Sequence, residues 1–282
     1  MKTLPKPPFQ ARTVFEACAA SRQDIELKAR LLSIAPAIEQ AEYAYQIHGQ
    51  AGQLHVIKEE TIVSGKVTGK EMESLYTESF VRKGSKNRYI YDQIKMAAPH
   101  GICPLCGQRV VSTLDHYLAK TKHPALAVSP LNLVPACADC NKLKHAHQPV
   151  NAEEQTFHPY FDDLGKDVWL TAVIGQTQPP SISYSATPPE NWSAVKKQRL
   201  RNHFVTYELA NLYGAQASAE LVDIKHGLLT IGQRGHSHEV HIHLVREADS
   251  RTAADPNSWK AAMYRALAES EWFCRCGYLL IS

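Results

Sequence analysis

The sequence predicts an α+β fold in which a small metal-stapled module is embedded between a helical N-terminal section and a mixed α/β C-terminal section. Three observations carry this. Apolar residues recur at helical spacing through most of residues 1–98, two Cys-x-x-Cys pairs bracket residues 103–140, and alternating strand-like segments mixed with long helical stretches follow residue 150. The sections are therefore 1–98, 99–150 and 151–282.

In chain order, residues 1–12 read as an extended, proline-rich lead-in. Thr13–His48 is helical in pattern, with Val14, Phe15, Cys18, Leu27, Leu31, Ile38 and Tyr45 on its apolar face and a break expected at Pro36. Leu54–Lys58 reads as a short strand. Gly69–Phe80 and Lys86–Ala97 read as helices, the second stopping before Pro99, since the residue preceding proline disfavours helix. Beyond Pro149, Val168–Ile174 and Ile182–Ser185 alternate like strands around a Gln178-Pro179-Pro180 turn. Helices are expected from Trp192 to about Leu221 and from Ser258 to Glu271, with a strand at His238–Val245 between them.

Composition constrains function only broadly. Apolar residues make up 44% and charged residues 21%, as in ordinary soluble globular proteins. A net charge of +3 permits nucleic-acid binding without demanding it, so charge has to be read locally. The N-terminal MKTLPKPPFQ lacks the apolar core of a secretory signal, and no run approaches the roughly 18 apolar residues of a membrane helix. The expected compartment is the cytoplasm, where thiols stay reduced and clustered cysteines serve metals more often than disulfides.

Of the seven cysteines, four form the pairs Cys103-Pro-Leu-Cys106 and Cys137-Ala-Asp-Cys140. Each pair puts two sulfurs on one tight turn, and Gly107 after the first supplies a residue able to take positive φ. Two such knuckles make the four thiolates of a closed tetrahedral zinc site, which leaves no open position and is therefore structural. Cys18, Cys274 and Cys276 lack this spacing and read as packed thiols.

Between the knuckles lie a strand-like Arg109–Leu114 ending in Asp115-His116, a polar loop, and Asn132 within a second short strand, Leu131–Val134. Then comes a helix expected over Ala138–His147, with Asn141 directly after the last cysteine. In this order the segment resembles the HNH, or ββα-metal, endonucleases, and specifically their zinc-stapled branch, which includes a phage junction resolvase. The resemblance spans residues 99–150 of the chain, and the flanking sections carry none.

The residue types suit the chemistry that the resemblance implies. Phosphodiester hydrolysis needs an activated water, charge relief on the phosphoryl oxygens and help for the leaving alkoxide. Asp115 and Asn141 offer hard oxygen ligands for one Mg²⁺ or Mn²⁺, and two protein ligands leave positions for substrate and water. A neutral His116 is able to accept the proton of the water near physiological pH. By the resemblance, Asp115 and Asn141 hold the metal, His116 is the general base, and Asn132 fixes the loop that aims the histidine without touching metal or substrate.

Nucleic acid, DNA first, is the expected substrate. Arg109, Lys120, Lys122, Lys142 and Lys144 are the basic residues placed to meet phosphates, Lys144 best of all because the resembling pattern is Cys-x-x-Cys-Asn-x-x-Lys. Arg82, Lys83, Lys86 and Arg88, and Lys196, Lys197, Arg199 and Arg201, are two further basic clusters that fit either a DNA footprint or a solvated face. His236, His238, His241 and His243 do not form a second metal site if they lie on a strand, because 236 and 238 then face away from 241 and 243. Phe157-His158-Pro159-Tyr160-Phe161 is expected to pack the module against the C-terminal section. The resemblance also suggests a phage-defence or mobile-element setting with an ATPase or other subunit as partner. The alternative function is a zinc-stapled nucleic-acid-binding module or partner subunit without hydrolytic activity.

Overall fold

The helical pattern of the first fifty residues becomes three helices, α1 (Ala11–Ala20), α2 (Ile25–Ser33) and α3 (Ala35–Gln50). The added break at residues 21–24 has a local cause, because the Asp24 carboxylate accepts the Leu27 amide at 3.0 Å and so starts α2 afresh. Pro36 is not itself the break. It sits in the first turn of α3, where its missing N–H leaves no hydrogen bond unmade. The computed structural model describes residues 1–145 and 149–282, with residues 234–236 described by backbone alone.

Leu54–Val56 is a single 3₁₀ turn rather than the expected strand. Two short strands, β1 (Ile62–Val63) and β2 (Val67–Thr68), pair antiparallel just after it. Thr68 and Glu71 form a capping box at the start of α4 (Gly69–Ser74), satisfying amides that would otherwise lack partners. The chain then widens into a π-helical segment, Leu75–Val81, before α5 (Arg88–Met96). In the central segment β3 (Thr113–His116) and β4 (Leu133–Ala136) pair antiparallel, with Asp115 opposite Val134 and His116 opposite Leu133. Both strands lie a little later than the alternation placed them. Helix α6 (Ala138–Lys144) follows, and its expected end at His147 lies outside the described residues.

The chain divides into two units, Met1–Asp163 and Leu164–Ser282. Val14, Phe15, Cys18, Leu31 and Ile38 of the helical section share one buried core with Leu114, Ala127, Val128 and Leu133 of the central segment. Each such aliphatic or aromatic side chain contributes on the order of 1.5–3 kcal/mol on burial, so the module and residues 1–98 stabilise each other as one body. The Phe157–Phe161 segment closes the same unit. The Tyr45 hydroxyl of α3 lies 3.0 Å from His158 Nε2, and the Tyr160 hydroxyl donates to the Leu133 carbonyl at 2.8 Å. These partners are α3 and β4, so the segment ties the module to the N-terminal helices.

In the second unit the expected hairpin is present as β5 (Leu170–Gly175) and β6 (Ser181–Ala186), with Leu170 opposite Ala186. The helical stretch after Trp192 breaks at Glu208, whose φ is 50°, into α7 (Ala194–Thr206) and a 46-residue α8 (Leu209–Ala254). Helix α9 (Trp259–Glu269) packs along α8. The strand expected at His238–Val245 is part of α8. Val240, Leu244 and Ala248 are buried at four-residue steps, the helical period, which outweighs the local alternation of the histidines.

Candidate metal centre and adjoining cleft

The first knuckle is a narrow hairpin. The Gly107 amide donates to the Cys103 carbonyl and the Cys103 amide to the Arg109 carbonyl, each at 2.8 Å, and Gly107 takes a φ of 65°. The Arg109 amide also donates to Cys106 Sγ at 3.4 Å. The second knuckle is a helix start: Cys137 caps α6, and its Sγ accepts the Cys140 amide at 3.3 Å. The four ligand atoms lie within 4.8 Å of one another and all four residues are buried. Sulfurs at about 2.3 Å from a tetrahedral zinc would stand about 3.8 Å apart, so the spacing suits one ion.

The chemistry of the donor set points the same way. Hydrogen bonding from Cys103 holds the Cys106 thiol far below its ordinary range and brings Cys137 down to about 6. Hydrogen bonding within the cluster pushes Cys103 and Cys140 up instead. Four thiolates this close repel one another, and a dication relieves that repulsion, so the cluster is able to hold a metal ion. Among the described residues it is the one group of three or more such ligands that converges.

Neighbouring residues build an open cleft of about 400 Å³, with Asp115, His116, Lys120, Asn141, Lys142 and His145 in its lining. His116 is 8% exposed, and its Nε2 lies 2.8 Å from the Ala127 carbonyl. A carbonyl only accepts, so Nε2 carries the proton and Nδ1 carries the lone pair. Burial pushes the imidazole down to about 3, which keeps it neutral across the physiological range. Asn132, fully buried, clamps the loop after His116: its Oδ1 accepts the Leu118 amide at 2.8 Å, and its Nδ2 donates to the carbonyls of Leu118 and Leu126 at 2.9 and 3.3 Å.

Asp115 differs from a solvated carboxylate. Burial raises it to about 6, against the opposing pull of Lys144, whose Nζ lies 3.2 Å from Oδ2. The same ammonium donates to the His116 and Tyr117 carbonyls at 2.7 and 3.1 Å and is itself buried. Lys144 was expected to meet phosphate and instead faces inward, because the step from Asn141 to Lys144 turns it back over β3. Lys120 and Lys142 line the cleft. Lys122 and Arg109 do not; they pair with Glu59 and Asp139, each at 2.9 Å.

The lining also holds residues outside the expected set, His145 and Tyr76 among them. His145 lies just past the end of α6 with a φ of 50°, so its place in the lining is not set by the helical repeat. Tyr76 comes from the π-helical segment and has no local signal at all. Elsewhere, His238 and His241 share a face of α8 rather than being split by strand parity, and His241 Nδ1 lies 3.0 Å from the Ala268 carbonyl. The His236 side chain lies outside the described residues. Cys18 and Cys274 are buried, whereas Cys276 is exposed, contrary to expectation. In the basic clusters, Arg88 pairs with Asp92 at 3.0 Å, and Arg199 is buried.

Among the described residues no helix is long and apolar enough to cross a membrane. No family model matches the chain, and no solved structure matches it. Over an alignment of 295 positions, covering 98% of this chain and 99% of the other, the sequence is 29% identical to Protein ea31 of Escherichia phage lambda.

Proposed function

We propose that this chain is a metal-dependent endonuclease of the HNH type that hydrolyses phosphodiester bonds in nucleic acid, DNA first, with a structural zinc ion on Cys103, Cys106, Cys137 and Cys140. The observation that carries the reading is the tautomer of His116. With Nε2–H tied to the Ala127 carbonyl, Nδ1 is left as a proton acceptor on a ring that lines an open cleft beside hard oxygen donors.

The Asp115 carboxylate and the Asn141 amide oxygen would hold Mg²⁺ or Mn²⁺, both lining the cleft. When bound, the ion supplies charge relief at the phosphoryl oxygens and at the leaving alkoxide. His116 then takes the proton of the attacking water at Nδ1, and the negative phosphate in the cleft raises the basicity that burial alone depresses. Lys120 and Lys142 meet phosphate oxygens at the rim. Lys144 stays inside and holds the Asp115 carboxylate in place. Similarity to a phage protein supports the mobile-element setting, where an ATPase or other subunit would be the partner.

One observation favours the second reading, a nucleic-acid-binding module without hydrolysis: Asp115 already has an ammonium partner, which competes with a metal for the carboxylate. Incubating the purified protein with plasmid DNA, with and without added Mg²⁺ or Mn²⁺, separates the two. Metal-dependent nicking that disappears in His116→Ala is the expected result. DNA binding with no cleavage under any metal would leave the second reading standing.

A further inference from the structure

The module resembling the nucleases begins at residue 99, yet one wall of its cleft is built 23 residues earlier. Tyr76 lies on the Leu75–Val81 segment, whose i→i+5 hydrogen bonding differs from the α-helix expected there. In an α-helix residues five apart point to different sides. The wider register brings Tyr76 and Val81 to the same cleft. The Tyr76 ring meets the His116 ring at 4.5 Å between centroids and 65°, an edge-on contact. The Phe80 ring supports it from its own segment at 5.8 Å, and the Lys120 ammonium stands 5.7 Å from its centroid. Burial keeps the phenol well above its usual pKa, so the residue faces the cleft as a neutral ring.

The torsion that turns an imidazole about its Cβ–Cγ bond is broad, so one hydrogen bond at Nε2 leaves the ring free to rock. A second contact is needed to fix the direction of Nδ1. We propose that Tyr76 is a positioning residue: its ring holds the His116 imidazole in the orientation that keeps Nε2–H on the Ala127 carbonyl and Nδ1 facing the cleft. The π-helical widening is what delivers that ring. The effect on rate rests on the nuclease reading, whereas the effect on the imidazole does not.

Two measurements on the full chain test this, with Tyr76→Ala, the bulkier Tyr76→Leu in case the first fails to fold, and Tyr76→Phe. The first is plasmid cleavage. Misplacing a reacting group by about 1 Å costs on the order of 10²-fold, so Tyr76→Ala and Tyr76→Leu should lose about that factor in kcat with DNA affinity little changed. Tyr76→Phe should recover most of the loss, because the ring rather than the hydroxyl acts. The second is the ¹⁵N spectrum of the His116 ring. A single Nε2–H tautomer in the parent and in Tyr76→Phe should give way to an averaged signal in the other two. Wild-type kcat in Tyr76→Ala or Tyr76→Leu overturns the proposal, as does an unchanged ring spectrum. A loss in Tyr76→Phe equal to that in Tyr76→Ala overturns it too, by assigning the effect to the hydroxyl. If the parent cuts no DNA, the nuclease reading fails alone and the ring spectra decide the positioning role.

Discussion

Cys140 and Asn141 are adjacent residues on α6, yet they belong to two donor sets with opposite properties. Cys140 completes a set of four buried sulfurs that converge within 4.8 Å, whereas Asn141 joins Asp115 in the lining of an open cleft. One helical step of about 100° separates them, which is enough to send one side chain inward to the knuckles and the next outward. A set that is closed and fully protein-supplied binds tightly and serves the fold. A set with two oxygens and open positions binds weakly and leaves room for a substrate. The same short helix therefore carries one residue of the closed sulfur set and one of the cleft lining, and disturbing one set need not disturb the other.

The largest effect expected from breaking this contrast is at the closed set. Structural zinc contributes an apparent 10–16 kcal/mol or so in small domains, comparable with the whole stability of about 5–15 kcal/mol of a typical protein. Changing any of Cys103, Cys106, Cys137 or Cys140 to Ser should abolish the cooperative thermal transition of the first unit. Elemental analysis of the parent should find one zinc per chain; well-folded zinc-free protein would contradict this. Next, a mild chelator should stop cleavage while the zinc content stays intact, and added Mg²⁺ should restore it. Asp115→Ala should be inactive and Asn141→Asp partly active, since the latter keeps an oxygen. Cleavage undiminished in chelator would remove the open set from the mechanism.

His116→Ala should lower kcat by about 10²–10⁴-fold, the usual worth of a general base, with zinc content and DNA affinity near those of the parent. Asn132→Ala should cost several kcal/mol of stability, because each buried group left without its hydrogen bond costs about 1–3 kcal/mol. It should lower activity as well, through the loop between Leu118 and Leu126; a variant as stable as the parent would deny Asn132 the role of clamp.

The smallest effect is on pH. Burial raises the Asp115 carboxyl to about 6, so at limiting Mg²⁺ cleavage should fall as pH drops below about 6, and more Mg²⁺ should shift that midpoint lower. The sign for stability is the reverse. A carboxyl raised above its ordinary value binds its proton more tightly when folded, so its contribution is fully present below about 4 and is lost as pH rises through about 6. Metal-free protein should therefore lose a little thermal stability from this group over that interval. A cleavage midpoint indifferent to Mg²⁺ would separate Asp115 from the metal.

Much of the site was legible because its signals are local. Two Cys-x-x-Cys spacings force sulfurs together whatever the rest of the chain does, and Asp115-His116 and Asn141 hold fixed positions relative to those knuckles. His145 carries no such signal, because it lies beyond the last residue of α6 and its φ is 50°. The misreadings fall where a local pattern competed with packing. The histidine alternation at 236–243 resembles a strand, but the buried ladder of Val240, Leu244 and Ala248 on α8 prevails, since burial of a continuous apolar face outweighs two-residue periodicity.

By itself the sequence determined the α+β class and the four cysteines able to converge, because short-range spacing brings the two sulfurs of each Cys-x-x-Cys pair together, whereas the roles expected of Asp115, His116, Asn132 and Asn141 rest on the resemblance. Tertiary structure alone decided three things. It turned Lys144 inward onto Asp115, joined residues 1–98 to the module in one core, and brought Tyr76 against His116. Each of these depends on contacts between segments distant in the chain, where burial and shape complementarity settle the outcome and no spacing rule along the sequence records it.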